Sequence, residues 1–319
     1  MRTSCWLLGA LSCFAPTVRA EVPRPSTFSI VAADPEAGEV GVAVASRFFA
    51  VGTVVPHAQA GVGAIATQAS ANTSFGPRGL ELLSRGCSAE ETLAILMRQD
   101  RTPERRQVGI VTAAGEAATT SGAGCNAWAG GRCGPGYAVQ GNILTGEAVV
   151  AAMEKAYLQS RGKPLVERLY LALVAGDAAG GDSRGRQSAA ILVCRAHAGY
   201  NGFTDRAIDV RVDDHADPLG EIGRLLGMAL VNDHWNRGWT AFMDKAFPEA
   251  LRWQEKAAAA AERQPAMLPE VLYDLAVVRL ANNDRQGALS AARRAIALNP
   301  KLAVQASRDS DLAAIRSDL

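Results

Sequence analysis

This sequence lacks a marked excess of charge, has few histidines and has no long apolar run after its first residues. The 33 Lys and Arg residues nearly balance the 32 Asp and Glu residues, which leaves a formal net charge of +1. Nucleic-acid-binding proteins usually carry a clear basic excess, so this class is disfavoured. The four histidines are scattered and no Cys-x-x-Cys pair is present, which argues against a zinc site. We therefore expect no nucleic-acid partner, no metal and no other cofactor.

The amino-terminal 20 residues have the pattern of a removable secretory signal. A charged start is followed by the short apolar run Cys5–Leu11 and then by small residues that end at Ala20. Cleavage there would make Glu21 the first residue of an exported protein, in the periplasm or outside the cell. A lipoprotein signal that uses Cys13 is the alternative, although Ala10 fits its pattern poorly. Since no segment is long and apolar enough to span a bilayer, we expect no stable membrane anchor.

Four cysteines would remain after this cleavage, namely Cys87, Cys125, Cys133 and Cys194. An even number of cysteines in an oxidising compartment permits disulfides. Cys125 and Cys133 flank a Gly-rich stretch and could close a small loop. Buried, inert thiols are the alternative, and the sequence leaves both open.

The predicted elements between residues 27 and 218 indicate a mixed α+β domain. Strands are predicted at 27–33, 40–46, 61–68, 107–112, 116–120, 137–143, 188–194 and 208–212, and helices at 77–84, after the capping box at 88–91, at 147–159 and at 164–175. Strands and helix pairs thus follow one another in blocks, unlike the strict alternation of a doubly wound parallel sheet. We predict two stacked antiparallel sheets with helix pairs outside them, a four-layer αββα sandwich.

Residues 219–319 lack strand signals and carry small residues at repeated intervals. Spacings of 12 and then 7 residues occur in Ala276, Ala288 and Ala295 and again in Gly238, Ala250 and Ala257. Small residues at such intervals let two antiparallel helices approach closely. The pattern resembles the tetratricopeptide repeat and predicts an all-α repeat domain that includes a helix pair at 268–298. Such arrays form extended binding surfaces, so we expect a protein partner for this region.

Three segments, 67–79, 140–142 and 180–188, are rich in polar side chains that packing alone does not explain. Each lies at the edge of a predicted strand or helix, where binding residues are concentrated. Any one of them could be an ordinary turn. Together they predict a polar pocket at the open end of the sandwich, lined by Thr27 or Ser29, Ser46, Gln68, Asn72, Gln140, Asn142, Asp182, Arg184 and Gln187. If Arg184 faces the pocket, a ligand carboxylate is expected, and if Asp182 faces it, a ligand amine.

Several motifs occur in the order found in a known family. They are Thr27–Ala32, Val42–Ser46, Gln68–Gly79, Trp128–Gly130, Gln140–Asn142, Gly180–Ser188 and Arg211–His215. Over residues 27–218 the chain resembles the bacterial and archaeal family of domains of unknown function numbered 1028. That family is similar in fold to the N-terminal-nucleophile (Ntn) hydrolases, which have the αββα sandwich. The resemblance implies an amidohydrolase that acts on a small amide or peptide.

Ntn chemistry requires a Thr, Ser or Cys at the start of the first strand, with its own free α-amine as the base. Thr27 opens the first strand, Ser29 shares its face, and Ser46 ends the adjacent strand, so these three are the candidate catalytic residues. The candidate substrate-binding residues are Gln68, Asn72, Gln140, Asn142, Asp182, Arg184 and Gln187. The amides among them could stabilise an oxyanion.

One feature departs from that mechanism. Cleavage after Ala20 leaves six residues before Thr27, which would then have no free amine. A second cut after Ser26 would supply it. The alternative is a non-catalytic module, in which the pocket binds a ligand and the helical repeats bind a protein. The sequence leaves a homo-oligomer open.

Overall fold

The structure is a computed structural model that describes residues 27–319, so the predicted signal and its cleavage site lie outside the described residues. Its strands are β1 Thr27–Asp34, β2 Glu39–Ser46, β3 Pro56–Gln59, β4 Gly63–Ala69, β5 Arg106–Thr112, β6 Ala117–Ser121, β7 Gly130–Gly134, β8 Tyr137–Asn142, β9 Ser188–Arg195 and β10 Arg206–Val212. Its helices are α1 Phe75–Ser84, α2 Ala89–Arg98, α3 Glu147–Gln159, α4 Leu165–Ala178, α5 Pro218–Met243, α6 Phe247–Ala261, α7 Leu268–Ala281, α8 Arg285–Leu298 and α9 Leu302–Ala306.

The strands form two antiparallel sheets. The larger has the order β10-β9-β2-β1-β8-β7 and the smaller has the order β3-β4-β5-β6. Strand β1 is therefore central, with β2 and β8 as its neighbours. Their register places Thr27 opposite both Ser46 and Asn142. Three of the predicted site residues thus meet at one end of the larger sheet.

The alternation of side chains along β1 separates two buried layers. Phe28 and Ile30 belong to the apolar cluster that includes α3 and α4, while Val31 belongs to the cluster shared with the smaller sheet. Thr27 and Ser29 have the same parity as Val31, so they face the smaller sheet. Helices α1 and α2 pack on the other face of that sheet.

The predicted mixed α+β class, with antiparallel sheets and a helical carboxyl-terminal region, is confirmed. Strands β3 and β7 were not predicted. Both are short edge strands, and neither has the alternation of apolar and polar residues that marks a half-buried strand. The four cysteines of the described region are free thiols, and Cys133 lies exposed on β7. The structure therefore has no disulfide among these four residues, but the alternative of buried thiols describes only Cys194.

The carboxyl-terminal region contains the predicted helix pair at 268–298, as α7 and α8. Ala276, Ala288 and Ala295 are each 0% exposed, as the spacing predicted. Helix α5 packs on both β10 and α6. The boundary near Pro218 and the likeness to tetratricopeptide repeats stay predictions. Within residues 27–319, no helix combines the length and the apolar character needed to cross a membrane.

Four charged residues connect the larger sheet to α5. Arg195, at the end of β9, contacts Glu39 and Asp233 at 2.5 and 2.8 Å. Arg237 contacts the same two carboxylates at 3.4 and 2.9 Å. Because both carboxylates are mostly buried, their charges are costly to remove from water, and the contacts with the two arginines offset that cost.

Candidate functional site

A buried polar network lies between the two sheets at the Thr27 end of β1. We call it the inter-sheet network, and it consists of Thr27, Ser29, Ser46, Gln68, Gln107, Thr119, Ser121, Gln140 and Asn142. All but Thr119 and Ser121 are at most 2% exposed. Buried amide and hydroxyl groups are costly unless they are hydrogen-bonded, so the pairing of each group decides whether this cluster is stable.

Ser29 is held between two carboxamides. Its hydroxyl donates to Gln68 Oε1 at 2.6 Å and accepts from Gln140 Nε2, also at 2.6 Å. Gln140 Oε1 accepts in turn from Thr119 Oγ1 at 3.1 Å. A Cβ on Gly109 would lie 2.2 Å from that same oxygen, so a side chain there would displace Gln140. The proton of the Ser29 hydroxyl is thus committed to an internal bond.

Gln107 connects the rest of the network. Its Oε1 accepts from Gln68 Nε2 at 2.8 Å and from Asn142 Nδ2 at 2.9 Å. Its Nε2 donates to Ser121 Oγ at 2.6 Å and to the Gly141 carbonyl at 2.7 Å. Such a network is most stabilising when every member is paired, because the surroundings contain few alternative partners.

Thr27 lies at the edge of the inter-sheet network. Its Oγ1 lies 3.2 Å from Ser46 Oγ, and its backbone carbonyl accepts from Gln68 Nε2 at 3.3 Å. Within residues 27–319, no histidine, lysine or carboxylate hydrogen-bonds to the hydroxyl of Thr27 or Ser29.

A cavity of about 480 Å³ adjoins the network at Ser46. Its lining combines apolar and charged groups: Phe28, Ala45, Ser46, Asp177, Gly180, Asp182, Gly185, Arg186, Ser188, Ala216, Pro218 and Leu219. The size is in the range of small-molecule sites. Asp177 accepts from Arg186 in a bidentate pair, with distances of 2.8 and 2.7 Å. Hydrogen bonding to Asp177 raises the pKa of Arg186, so the guanidinium keeps its charge.

Asp182 and Arg184 bind each other at the edge of this cavity. The carboxylate of Asp182 accepts from Arg184 Nε and Nη2 at 3.2 and 3.0 Å. It also accepts from the backbone amide of Arg47 at 2.7 Å. Asp182 lines the cavity, but its side chain is only 2% exposed. These contacts join the 180–188 loop to the end of β2.

Asn72 and Gln187 do not join the inter-sheet network. Asn72 Nδ2 donates to Asp100 Oδ2 at 2.7 Å, and Gln187 Nε2 donates to Asp214 Oδ1 at 3.1 Å. Burial opposes ionisation of Asp100, but hydrogen bonds from Arg106, the Thr102 backbone and Asn72 outweigh it and lower its pKa to about 2. The observed contacts of Asn72 therefore stabilise a charged loop.

Sequence reasoning missed Gln107, Thr119 and Ser121 in the network and Asp177 and Arg186 at the cavity. Strand parity could have found Gln107, because it shares a face with the buried residue Val111. Arg186 lies within the predicted segment 180–188, whereas no comparable signal marked Asp177, which lies near the end of α4. Among the described residues, no group of His, Cys, Asp or Glu side chains is arranged to hold a metal ion.

Comparison with known proteins identifies the family. Residues 27–222, more than half of the chain, match the model of the family of unknown function DUF1028, and the chain belongs to this family. The crystal structure of protein SPO2555 from Silicibacter pomeroyi, of the same family, is similar, with a TM-score of 0.58 and 29% sequence identity. The similarity covers 64% of this chain and 89% of that protein. A search of curated proteins found no match.

Proposed function

We propose that this protein is an exported, Ntn-hydrolase-like amidohydrolase, which acts on a small amide or peptide after Thr27 has become the amino-terminal residue. The observation that carries the proposal is the position of Thr27, which begins the central strand β1 with its Oγ1 3.2 Å from Ser46 Oγ. Ser46 in turn lines the 480 Å³ cavity. A helix pair outside each of two facing sheets supports the proposed Ntn-like αββα arrangement.

The proposed reaction uses Thr27 alone as nucleophile and base. Its Oγ attacks the carbonyl carbon of the substrate amide while its α-amine, with a pKa of about 8, takes the hydroxyl proton. That proton passes to the leaving amine as the C–N bond breaks, which leaves an ester on Thr27. Water then hydrolyses the ester and restores the free hydroxyl. Amide N–H groups near Thr27, such as those of Asn142, would stabilise the oxyanion.

The first experiment measures the mass of the mature, exported protein. A mass that begins at Thr27 would support the proposal, whereas a mass that begins at Glu21 would leave Thr27 without a free amine. Cell fractionation on the same sample tests export itself. Recovery of the full-length chain in the cytoplasm would contradict the signal sequence.

The second experiment compares hydrolysis of a panel of simple amides and dipeptides by chains that begin at residue 27 and at Glu21. We expect activity only in the first, and a loss of at least about a hundredfold in Thr27→Ala. Thr27→Ser keeps a hydroxyl and should retain activity, which separates loss of the nucleophile from misfolding. Equal activity in Thr27→Ala and the unchanged chain would remove Thr27 as the nucleophile.

A ligand-binding module without catalysis is the second candidate, and the pairing within the inter-sheet network favours it. Every carboxamide of the network already bonds to protein groups, which is typical of a cluster that stabilises a fold. In this case the cavity binds a ligand and the carboxyl-terminal helices bind a protein. A mature chain that begins at Glu21, binds a ligand and hydrolyses no amide would favour this candidate.

A further inference from the structure

The lining of the 480 Å³ cavity includes an ion pair between Asp177 and Arg186. Asp177 is near the end of α4, and Arg186 belongs to the loop that precedes β9. Their two bonds use Nε and Nη2 of the guanidinium. Among the described residues, Nη1 of Arg186 has no hydrogen-bond partner, and the side chain is 51% exposed. The arginine can therefore donate to a ligand without leaving Asp177.

Among the described residues, Arg186 lines the cavity and Arg184 does not. Arg184 binds Asp182 and also donates from Nη2 to the Arg47 carbonyl at 3.0 Å. The side chain of Asp177 is 18% exposed, against 2% for Asp182. The Asp177–Arg186 pair thus presents one negative and one positive group to a molecule that enters the cavity.

The charges around this pair select against a ligand with a single charge. A simple anion that approached Arg186 would meet Asp177, and the field of Asp217 also acts on Arg186. A simple cation that approached Asp177 would meet Arg186. A molecule with an ammonium and a carboxylate group satisfies both partners, because each group has a charge of opposite sign. Phe28, Ala45 and Leu219 supply an apolar surface for the rest of the ligand.

We propose that this cavity binds a small zwitterion, a free amino acid or a dipeptide, with its carboxylate on Arg186 and its ammonium on Asp177. Only one part of this proposal rests on the proposed function, namely that the zwitterion is a substrate or product of the amide hydrolysis. Binding itself needs neither a free amine on Thr27 nor any chemical step. The two can therefore be tested separately.

The experiment is calorimetric titration of the mature chain with four probes. Norleucine carries both charged groups, hexanoate lacks the ammonium, pentylamine lacks the carboxylate, and the dipeptide Ala-Leu carries the two groups further apart. We expect norleucine or Ala-Leu to bind at least about tenfold more tightly than hexanoate and pentylamine. Tighter binding of norleucine would identify the ligand as a free amino acid, and tighter binding of Ala-Leu would identify it as a dipeptide. Equal affinity for hexanoate, or no binding of either zwitterion, would overturn the proposal.

Substitutions of Arg186 test whether the zwitterion binds at the Asp177–Arg186 pair. Arg186→Gln should lower the affinity for the zwitterion by about ten- to a hundredfold, because a charged hydrogen bond is lost. Arg186→Lys keeps the charge and should lower the affinity by less. Arg294→Gln is the matched control, because Arg294 forms a similar bidentate pair with Glu262 and is 50% exposed. An equal effect of Arg186→Gln and Arg294→Gln would overturn the assignment.

Failure of this inference differs from failure of the proposed function. If uncharged amides are hydrolysed but no zwitterion binds, the inference is wrong and the hydrolase proposal stands. If norleucine binds to Thr27→Ala as tightly as to the unchanged chain, and no amide is hydrolysed by either, the inference stands and the hydrolase proposal fails.

Discussion

The inter-sheet network and the crossing of α7 and α8 are both buried, but different forces hold their atoms together. In the network, hydroxyl and carboxamide groups bond to one another, as in the 2.6 Å contact of Ser29 with Gln68. At the crossing, Ala276, Ala288 and Ala295 are 0% exposed and offer no polar side-chain group. One region depends on directional bonds, and the other depends on the close approach of two helix surfaces.

Because the forces differ, the two regions should respond to different kinds of substitution. A network loses stability when one member is removed, because the partners of that member stay buried and unpaired. A crossing packed with alanine loses stability when atoms are added, because neighbouring side chains have no space to move into. Removal of a side chain from the network and addition of atoms at the crossing are therefore both expected to destabilise the protein, for different physical reasons.

The largest expected effect comes from Gln68→Ala. The change removes the acceptor of Ser29 and the donor to Gln107, and it also removes the donor to the backbone carbonyls of Thr27 and Gln140. We expect the free energy of unfolding to fall by about 2–4 kcal/mol, measured by urea denaturation. Gln187→Ala is the control, since it removes one partly exposed bond to Asp214 and should cost about 0.5 kcal/mol or less. Similar losses in both variants would show that the network contributes little.

The next effect tests the crossing. Ala288→Leu should lower the free energy of unfolding by about 1–3 kcal/mol, because the added atoms overpack the contact between α7 and α8. Ala297 lies on the exposed side of the same helix, so Ala297→Leu is the matched control and should change stability by about 0.5 kcal/mol or less. An unchanged melting temperature in Ala288→Leu would contradict close packing at this site.

The sequence was sufficient to predict the crossing, because small-residue spacing directly reports helix contact. It predicted the β1–β2 hairpin for a similar reason, since turn residues at 34–38 separate two apolar strands. The network was predicted only in part. Gln68, Gln140 and Asn142 converge, whereas Asn72 bonds to Asp100. Polar composition identified the segments, but which side chains face inward depends on strand pairing across the two sheets.

Which arginine lines the cavity was also not predictable from the sequence. Arg184 and Arg186 are two residues apart in one Gly-rich loop, and composition alone does not distinguish them. The structure assigns Arg184 to Asp182 and Arg186 to Asp177, because α4 brings Asp177 to the loop from nine residues earlier in the chain. A contact of this kind depends on where the end of α4 lies, which the residues of the loop do not encode.

A third prediction uses pH to separate charged clusters from the network, which has no titratable side chain. The pKa of Asp100, about 2, lies below its ordinary value of 3.8. Its contribution to stability is therefore complete above pH 3.8 and is lost as the pH falls towards 2. We expect about 1–2 kcal/mol, since Arg106 is partly exposed and solvent screens the pair. Asp100→Asn should flatten urea-measured stability between pH 4 and 2, whereas Gln187→Ala should not.

The smallest expected effect concerns His57, a half-buried residue whose Nε2 atom, unlike the polar atoms of the network, is buried without a hydrogen bond in the described part of the chain. A Cβ on Gly76 would lie 2.1 Å from the ring of His57. Burial lowers the pKa of His57 below its ordinary value of 6.5, despite an opposing hydrogen bond to the Val54 backbone. Below pH 6.5 the unfolded chain therefore binds a proton that the folded chain does not, so stability falls as the pH falls. His57→Gln should reduce the dependence of the free energy of unfolding on pH between pH 7 and 5, measured by urea denaturation. His197→Gln, at an exposed site, is the control and should leave that dependence unchanged. An identical slope in the two variants would mean that the folded protein accommodates the charged imidazole.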